Sequence, residues 1–146
     1  MNLDQDAILV ERRCLGAALL SGGSAETLIE TVFDHDFLVP SHAQVFVAIR
    51  ELIADGHAAT PTEVHLLGRE IYGDVWILSA AELVSLQSET DVLDISVLAT
   101  KIQSFSMLRS MRHIDHNIMV QAEAAVPASE IVNVAIKNLE QAADSL

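Results

Sequence analysis

Two histidines, His113 and His116, are three residues apart, with Asp115 between them. Imidazoles on adjacent turns of a helix, together with a carboxylate, can bind a transition metal. A third ligand on the same helical face is not evident, and the chain has one cysteine and no His-Glu-x-x-His motif. We therefore expect both histidines to face solvent, and we expect no metal site.

A second cluster of titratable groups places His35 between Asp34 and Asp36. A carboxylate beside an imidazole could act in general acid–base catalysis. The cluster falls at the end of a predicted helix, where polar residues commonly cap and solvate the backbone. We therefore expect no catalytic residue here.

The single cysteine, Cys14, follows Arg12 and Arg13. Neighbouring cations could lower the pKa of the thiol and make it reactive, but Cys14 lies within an apolar helical pattern, which favours a buried and inert side chain. One cysteine excludes an internal disulfide and favours a cytoplasmic protein.

The composition limits the function further. A phosphate-binding loop, Gly-x-x-x-x-Gly-Lys-Ser/Thr, is missing, since neither Lys101 nor Lys137 follows a glycine. The 21 acidic and 8 basic residues give a net charge of −13, which opposes direct contact with DNA or with an anionic membrane. We expect a chain without catalysis or cofactor, whose partners are proteins.

The apolar residues recur at helical spacing almost throughout, which predicts an all-α fold. Hydroxyl residues that precede the helical patterns predict where helices begin. Ser24 and Ser41 are predicted to cap the second and third helices, while Thr60 and Ser79 each precede a glutamate by three residues, as in a capping box. These helices predict a compact globular subdomain over residues 1–90.

Residues 91–146 predict a long antiparallel helical hairpin. No glycine follows Gly73 and no proline lies between Pro61 and Pro127, so one helix can run from about Val92 to about Ala125. Such a helix is about 50 Å long, so it must project beyond a small globule or span two subunits. The turn at Pro127 then returns the chain in a second helix.

The second hairpin helix places apolar residues at coiled-coil spacing, at Val132, Ala135, Leu139, Ala142 and Leu146. The first carries more apolar residues than one partner helix can cover, and such a surplus predicts an interface between subunits. The predicted interface residues are Ile102, Phe105, Leu108, Met111, Ile118, Val132 and Leu139.

Two segments resemble a known family. Glu11 followed by Leu15-Gly16-Ala17-Ala18-Leu19-Leu20, and the run from Asp36-Phe37 through His42 and Phe46 to Ile49, are similar to motifs of the N-terminal domain of DnaB-family replicative DNA helicases. The chain departs from the family pattern at Arg12, where glutamine is usual, and near Pro61, where an aspartate is expected. The resemblance implies structural roles for Leu15, Gly16, Asp36, Phe37, His42, Phe46 and Ile49.

The resemblance also implies a function. Domains of this family form the collar of a hexameric ring, in which hairpins pair between subunits to give a trimer of dimers. Primase and helicase loaders dock on such collars. ATP and magnesium would belong to a separate RecA-like domain of the parent helicase, outside this chain. The alternative is a freestanding adaptor of the same fold, from a phage or plasmid, that binds a helicase or primase and modulates loading.

Overall fold

The computed structural model describes residues 3–90 and 95–145. Within these ranges the chain forms seven α-helices and no strand, which confirms the all-α prediction. The helices are α1 (Leu3–Leu20), α2 (Gly22–Thr31), α3 (Pro40–Ala54), α4 (Pro61–Tyr72), α5 (Ala80–Ser88), α6 (Ile95–Glu123) and α7 (Ala128–Asp144). Short 3-10 turns follow α2 and α4, at Asp34–Asp36 and Gly73–Val75.

The chain divides into two compact units, residues 1–103 and residues 104–146. The boundary between these units lies within α6. The reason is the apolar character of the first two turns of α6, where Ile95, Leu98, Ala99 and Ile102 are all buried. The predicted helix start at Val92 lies outside the described residues.

The core of the first unit is built around α1 and α3. Helix α1 packs against α2, α3 and α5, while α3 also packs against α4. The largest side chains that are fully buried come from four of these helices: Leu15, Leu28, Phe46, Ile49 and Leu83. Burial of each such side chain contributes about 1.5–3 kcal/mol to the stability of the unit.

Local capping explains where α4 and α5 begin. The hydroxyl of Thr60 accepts a hydrogen bond from the Glu63 amide at 3.3 Å, which confirms Thr60 as the cap of α4 but only this half of the predicted capping box. At α5, Ser79 and Glu82 form the predicted reciprocal pair, with Glu82 Oε2 accepting from the Ser79 amide at 2.8 Å. Both helices therefore begin where the sequence predicts.

The predicted caps of α2 and α3 are wrong. Ser21 caps α2, because its hydroxyl accepts from the amide of Ser24 and the helix already begins at Gly22. Helix α3 begins at Pro40, one residue before Ser41. A proline suits the first helical position because the amide proton that it lacks would have no partner inside the helix.

The second unit contains the rest of α6, the turn and α7. Ala125 has a positive φ of 57°, the Val126 amide donates to the Gln121 carbonyl, and the Ala125 amide donates to the Ala122 carbonyl. These two bonds define a Schellman motif, in which glycine usually holds the position with positive φ. The predicted hairpin turn therefore exists, with alanine at its left-handed position.

Replacing Ala125 with glycine is expected to stabilise the hairpin by about 1 kcal/mol, because a left-handed conformation is unfavourable for any residue with a Cβ atom. The matched control is Ala122→Gly inside α6, which should destabilise by about 1 kcal/mol. Urea unfolding followed by circular dichroism measures both changes. Equal destabilisation by both variants would contradict the strain assigned to Ala125.

Candidate functional site

The hairpin has a narrow inner contact between its two helices. Ile114 is the most deeply buried residue of this part of α6, at 6% exposure. On α7 the half-buried residues are Ile131, Ala135, Asn138 and Ala142, spaced by four, three and four residues. These four positions form the side of α7 that faces α6.

The inner side of α7 is therefore rotated from the predicted coiled-coil seam. Ala135 and Ala142 belong both to the half-buried positions and to the predicted seam. Val132 and Leu139 of the predicted seam are instead 54% and 46% exposed. Their large apolar side chains lie on an outer flank of α7, where a further partner can cover them.

A continuous set of exposed apolar residues occupies one flank of the hairpin. The residues from α7 are four and three positions apart, and those from α6 are three and seven positions apart, so each set lies on one side of its helix. We call this set the apolar face: Leu108, Met111 and Ile118 on α6, and Val132, Ile136 and Leu139 on α7, each at least 36% exposed. Exposed apolar patches of this kind are typical of interaction surfaces.

The opposite flank of the hairpin is polar near the open end of the hairpin. An open groove of about 550 Å³ lies between α6 and α7 near the open end of the hairpin. Its lining is mostly amide, hydroxyl and basic side chains: Arg109, Ser110, His113, Ile114, Asn117, Asn138, Gln141, Ala142 and Ser145. Because one flank of each helix lines this groove, the apolar residues on the other flank of each helix lie together on the far side. Near its open end the hairpin thus has two flanks of opposite character.

The predicted interface residues divide into three groups. Leu108, Met111, Ile118, Val132 and Leu139 are exposed and belong to the apolar face. Phe105 is half-buried. The prediction is wrong for Ile102, which is 1% exposed and lies in the core of the first unit. Sequence reasoning also missed Ile136, although its spacing of four from Val132 and three from Leu139 was a usable signal.

The motif residues that carry the family resemblance are all in the interior of the first unit. Their burial reflects packing of α1 against α3 and α5, and of the segment that joins α2 to α3. The buried set is Leu15, Gly16, Asp36, Phe37, His42, Phe46 and Ile49. Phe37 and Phe46 are in ring contact, with their centroids 5.2 Å apart.

A buried carboxylate on α1 holds this motif region together. Glu11, whose side chain is 2% exposed, accepts from the Leu38 amide at 2.7 Å and from the Val39 amide at 3.3 Å. It also contacts Nδ1 of His42 at 2.8 Å. Since an ionised carboxylate only accepts hydrogen bonds, Nδ1 of His42 is the protonated nitrogen. Glu11 thereby fixes the chain segment that leads into α3.

A second acidic residue supports the same segment. Asp36 Oδ2 accepts from the amide of Phe33 at 2.8 Å, across the 3-10 turn. Its other oxygen lies 3.6 Å from Nε2 of His35, whose side chain is 57% exposed. The His35 cluster therefore serves as a turn, with Asp36 satisfying a backbone amide.

The other residues whose types could support chemistry are the single cysteine and the two histidines of α6. Cys14 is fully buried, which confirms the predicted burial, and this burial, with a smaller contribution from Glu11, raises the pKa of its thiol to about 12. His113 and His116 are exposed. Across residues 3–90 and 95–145, no group of three histidine, cysteine or acidic residues is arranged to hold a metal ion.

Comparison with known proteins agrees with this arrangement. Residues 4–70 match the sequence model of a protein family described as the DnaB-like helicase N terminal domain. The fold matches the crystal structure of the N-terminal domain of DnaB helicase from Mycobacterium tuberculosis, with a TM-score of 0.81, 23% identity, and coverage of 91% of this chain and 96% of that chain. No curated protein matches the sequence. The resemblance seen in the sequence is confirmed.

Among the helices of residues 3–90 and 95–145, none combines enough length with enough apolar character to span a membrane.

Proposed function

We propose that this chain is the N-terminal assembly domain of a replicative DNA helicase of the DnaB family. Its hairpins pair with those of neighbouring copies, as a dimer or as a trimer of dimers in a hexameric ring. The resulting collar docks primase or a helicase loader during DNA replication in the cytoplasm. The observation that carries the proposal is the apolar face of a hairpin whose fold matches a helicase N-terminal domain.

The charge of the chain supports a role in assembly rather than in DNA contact. The net charge of −13 repels the phosphate backbone, and most of it lies in residues 1–90. Catalysis, with ATP and magnesium, belongs to the parent helicase in this proposal. The domain contributes the geometry of the ring and a protein-binding surface.

The apolar face can be tested by placing charge on it. The double variant Met111→Asp and Leu139→Asp should lower the mass of the particle in solution to about half or less, because an aspartate buried in an apolar interface is strongly unfavourable. Light scattering coupled to size-exclusion chromatography measures the mass. Circular dichroism checks that the helices remain folded.

A matched control places the same charge on the other flank. Asn117→Asp together with Gln141→Glu adds two carboxylates to the polar groove, where they remain solvated, so the mass should stay that of the unaltered protein. If the first double variant keeps its full mass, the apolar face is not the interface. A loss of mass in both double variants would show a general effect of charge. Binding of purified primase to the same proteins then tests whether docking requires the assembled form.

A further inference from the structure

One ring nitrogen of His65, on α4, lies close to two different partners. The indole Nε1–H of Trp76 donates to Nδ1 of His65 at 3.2 Å. The carbonyl oxygen of Leu78 is also 3.2 Å from the same Nδ1. A ring nitrogen either carries a proton and donates, or lacks a proton and accepts. Only one of the two hydrogen bonds can therefore exist at a time.

The presence of a proton on Nδ1 decides which bond is made: one neutral tautomer lacks this proton, whereas the imidazolium always carries it. When Nδ1 carries no proton, it accepts from Trp76, and the carbonyl of Leu78 receives nothing from His65. In the imidazolium both ring nitrogens carry protons, so Nδ1 donates to Leu78 and opposes the N–H of Trp76. We propose that protonation of His65 switches its hydrogen bond from Trp76 to Leu78 and releases the indole from α4.

The switch acts on the segment that connects α4 to α5. Trp76 is 8% exposed and packs directly on the backbone of α4, since a Cβ atom added at Gly68 would overlap three carbons of the indole ring. The Tyr72 ring is stacked on the same indole, with centroids 6.4 Å apart. The bond to His65 is therefore the polar contact that orients a closely packed ring. Its loss changes how the segment with the exposed Ile77 lies on α4.

Several ionisable residues lie on the elements that surround His65. The ionisable residues on α4 and on the elements packed against it are His42, Arg50, Glu51, Glu63, Arg69, Glu70, Tyr72, Asp74 and Glu82. Glu82 accepts from the amide of Ser79, the residue that follows Leu78. A carboxylate thus lies at the end of the segment toward which the charged imidazole donates.

Nuclear magnetic resonance of the intact chain tests the switch, because Trp76 is the only tryptophan and gives a single indole signal. Between about pH 8 and about pH 5, the range in which histidines commonly titrate, the indole proton should move upfield by several tenths of a ppm. The ¹⁵N shift of Nδ1 of His65 should change with the same midpoint. Far-ultraviolet circular dichroism should stay constant over this range.

Two variants separate the switch from other titrations. In His65→Gln the amide oxygen can accept from the indole at every pH, so the pH-dependent movement should disappear. In His57→Gln, which alters an exposed histidine before α4, the movement should remain. Movement that persists in His65→Gln, or titration of His65 with a stationary indole signal, overturns the proposal. The second outcome is read from the unaltered protein, so the test does not depend on the folding of a variant.

Discussion

Replacing Gly16 with alanine is expected to lower the free energy of unfolding by about 3 kcal/mol, at the upper end of the range for overpacked interiors. A Cβ atom at Gly16 would overlap the carbonyl oxygen of Leu86 and the hydroxyl of Thr90. The backbone carbonyl belongs to α5 and cannot rotate away as a side chain can. The variant therefore forces α1 and α5 apart, and urea unfolding measures the loss.

The control for Gly16 is the same substitution at Gly22. No atom lies within 4 Å of a Cβ atom placed there, and Gly22 is the first residue of α2. Alanine has the higher helix propensity, so Gly22→Ala should be neutral or stabilise by a few tenths of a kcal/mol. Similar stability for both variants would show that the close approach of α1 and α5 does not constrain the fold. Further removal of the Thr90 hydroxyl should leave most of the Gly16→Ala loss, because the overlap with Leu86 remains.

Gly16 illustrates what the sequence could predict and what it could not. Its place in a motif indicated a structural role, and local patterns predicted the helices and the caps at Thr60 and Ser79. These features depend on residues within one or two helical turns. The element that would meet a side chain at Gly16 is α5, about seventy residues later in the sequence, and no local pattern contains that information.

The hairpin shows the same limit for its surfaces. Helical spacing identified apolar residues along α6, but it could not assign each to the globule, to α7 or to a partner. Ile102 was therefore predicted at an interface although it lies in the core of the first unit. On α7 the half-buried positions include Ile131 and Asn138 rather than the predicted Val132 and Leu139, because the spacing of apolar residues does not by itself show which side of the helix faces α6.

Buried polar groups were the hardest feature to predict. Helical spacing does place Glu11 on the apolar side of α1, four residues after Ala7 and three before Cys14. A carboxylate at such a position must have partners, because burying an unpaired charge is prohibitive. Its partners, the amides before α3 and His42, are about thirty residues away in the sequence. Only the folded chain identifies them.

Replacing Glu11 with alanine is expected to lower the free energy of unfolding by about 3–5 kcal/mol, because three buried hydrogen-bond donors lose their common acceptor. The change removes the acceptor for the amides of Leu38 and Val39 and for Nδ1 of His42. Each buried donor left without a partner is unfavourable by about 1–3 kcal/mol. Urea unfolding measures the loss, and amide exchange at Leu38 and Val39 should accelerate as the segment before α3 loosens.

The control for charge alone is Glu26→Ala, at an exposed position of α2, which should change the stability by about 0.5 kcal/mol or less. A loss at Glu11 of similar size would contradict the role assigned to the carboxylate. A double-mutant cycle with His42→Ala then isolates the pair. Once Glu11 is removed, His42 has lost its acceptor, so the second substitution should be less unfavourable than it is in the unaltered protein. Additive losses would mean that Glu11 stabilises the domain through the two backbone amides alone.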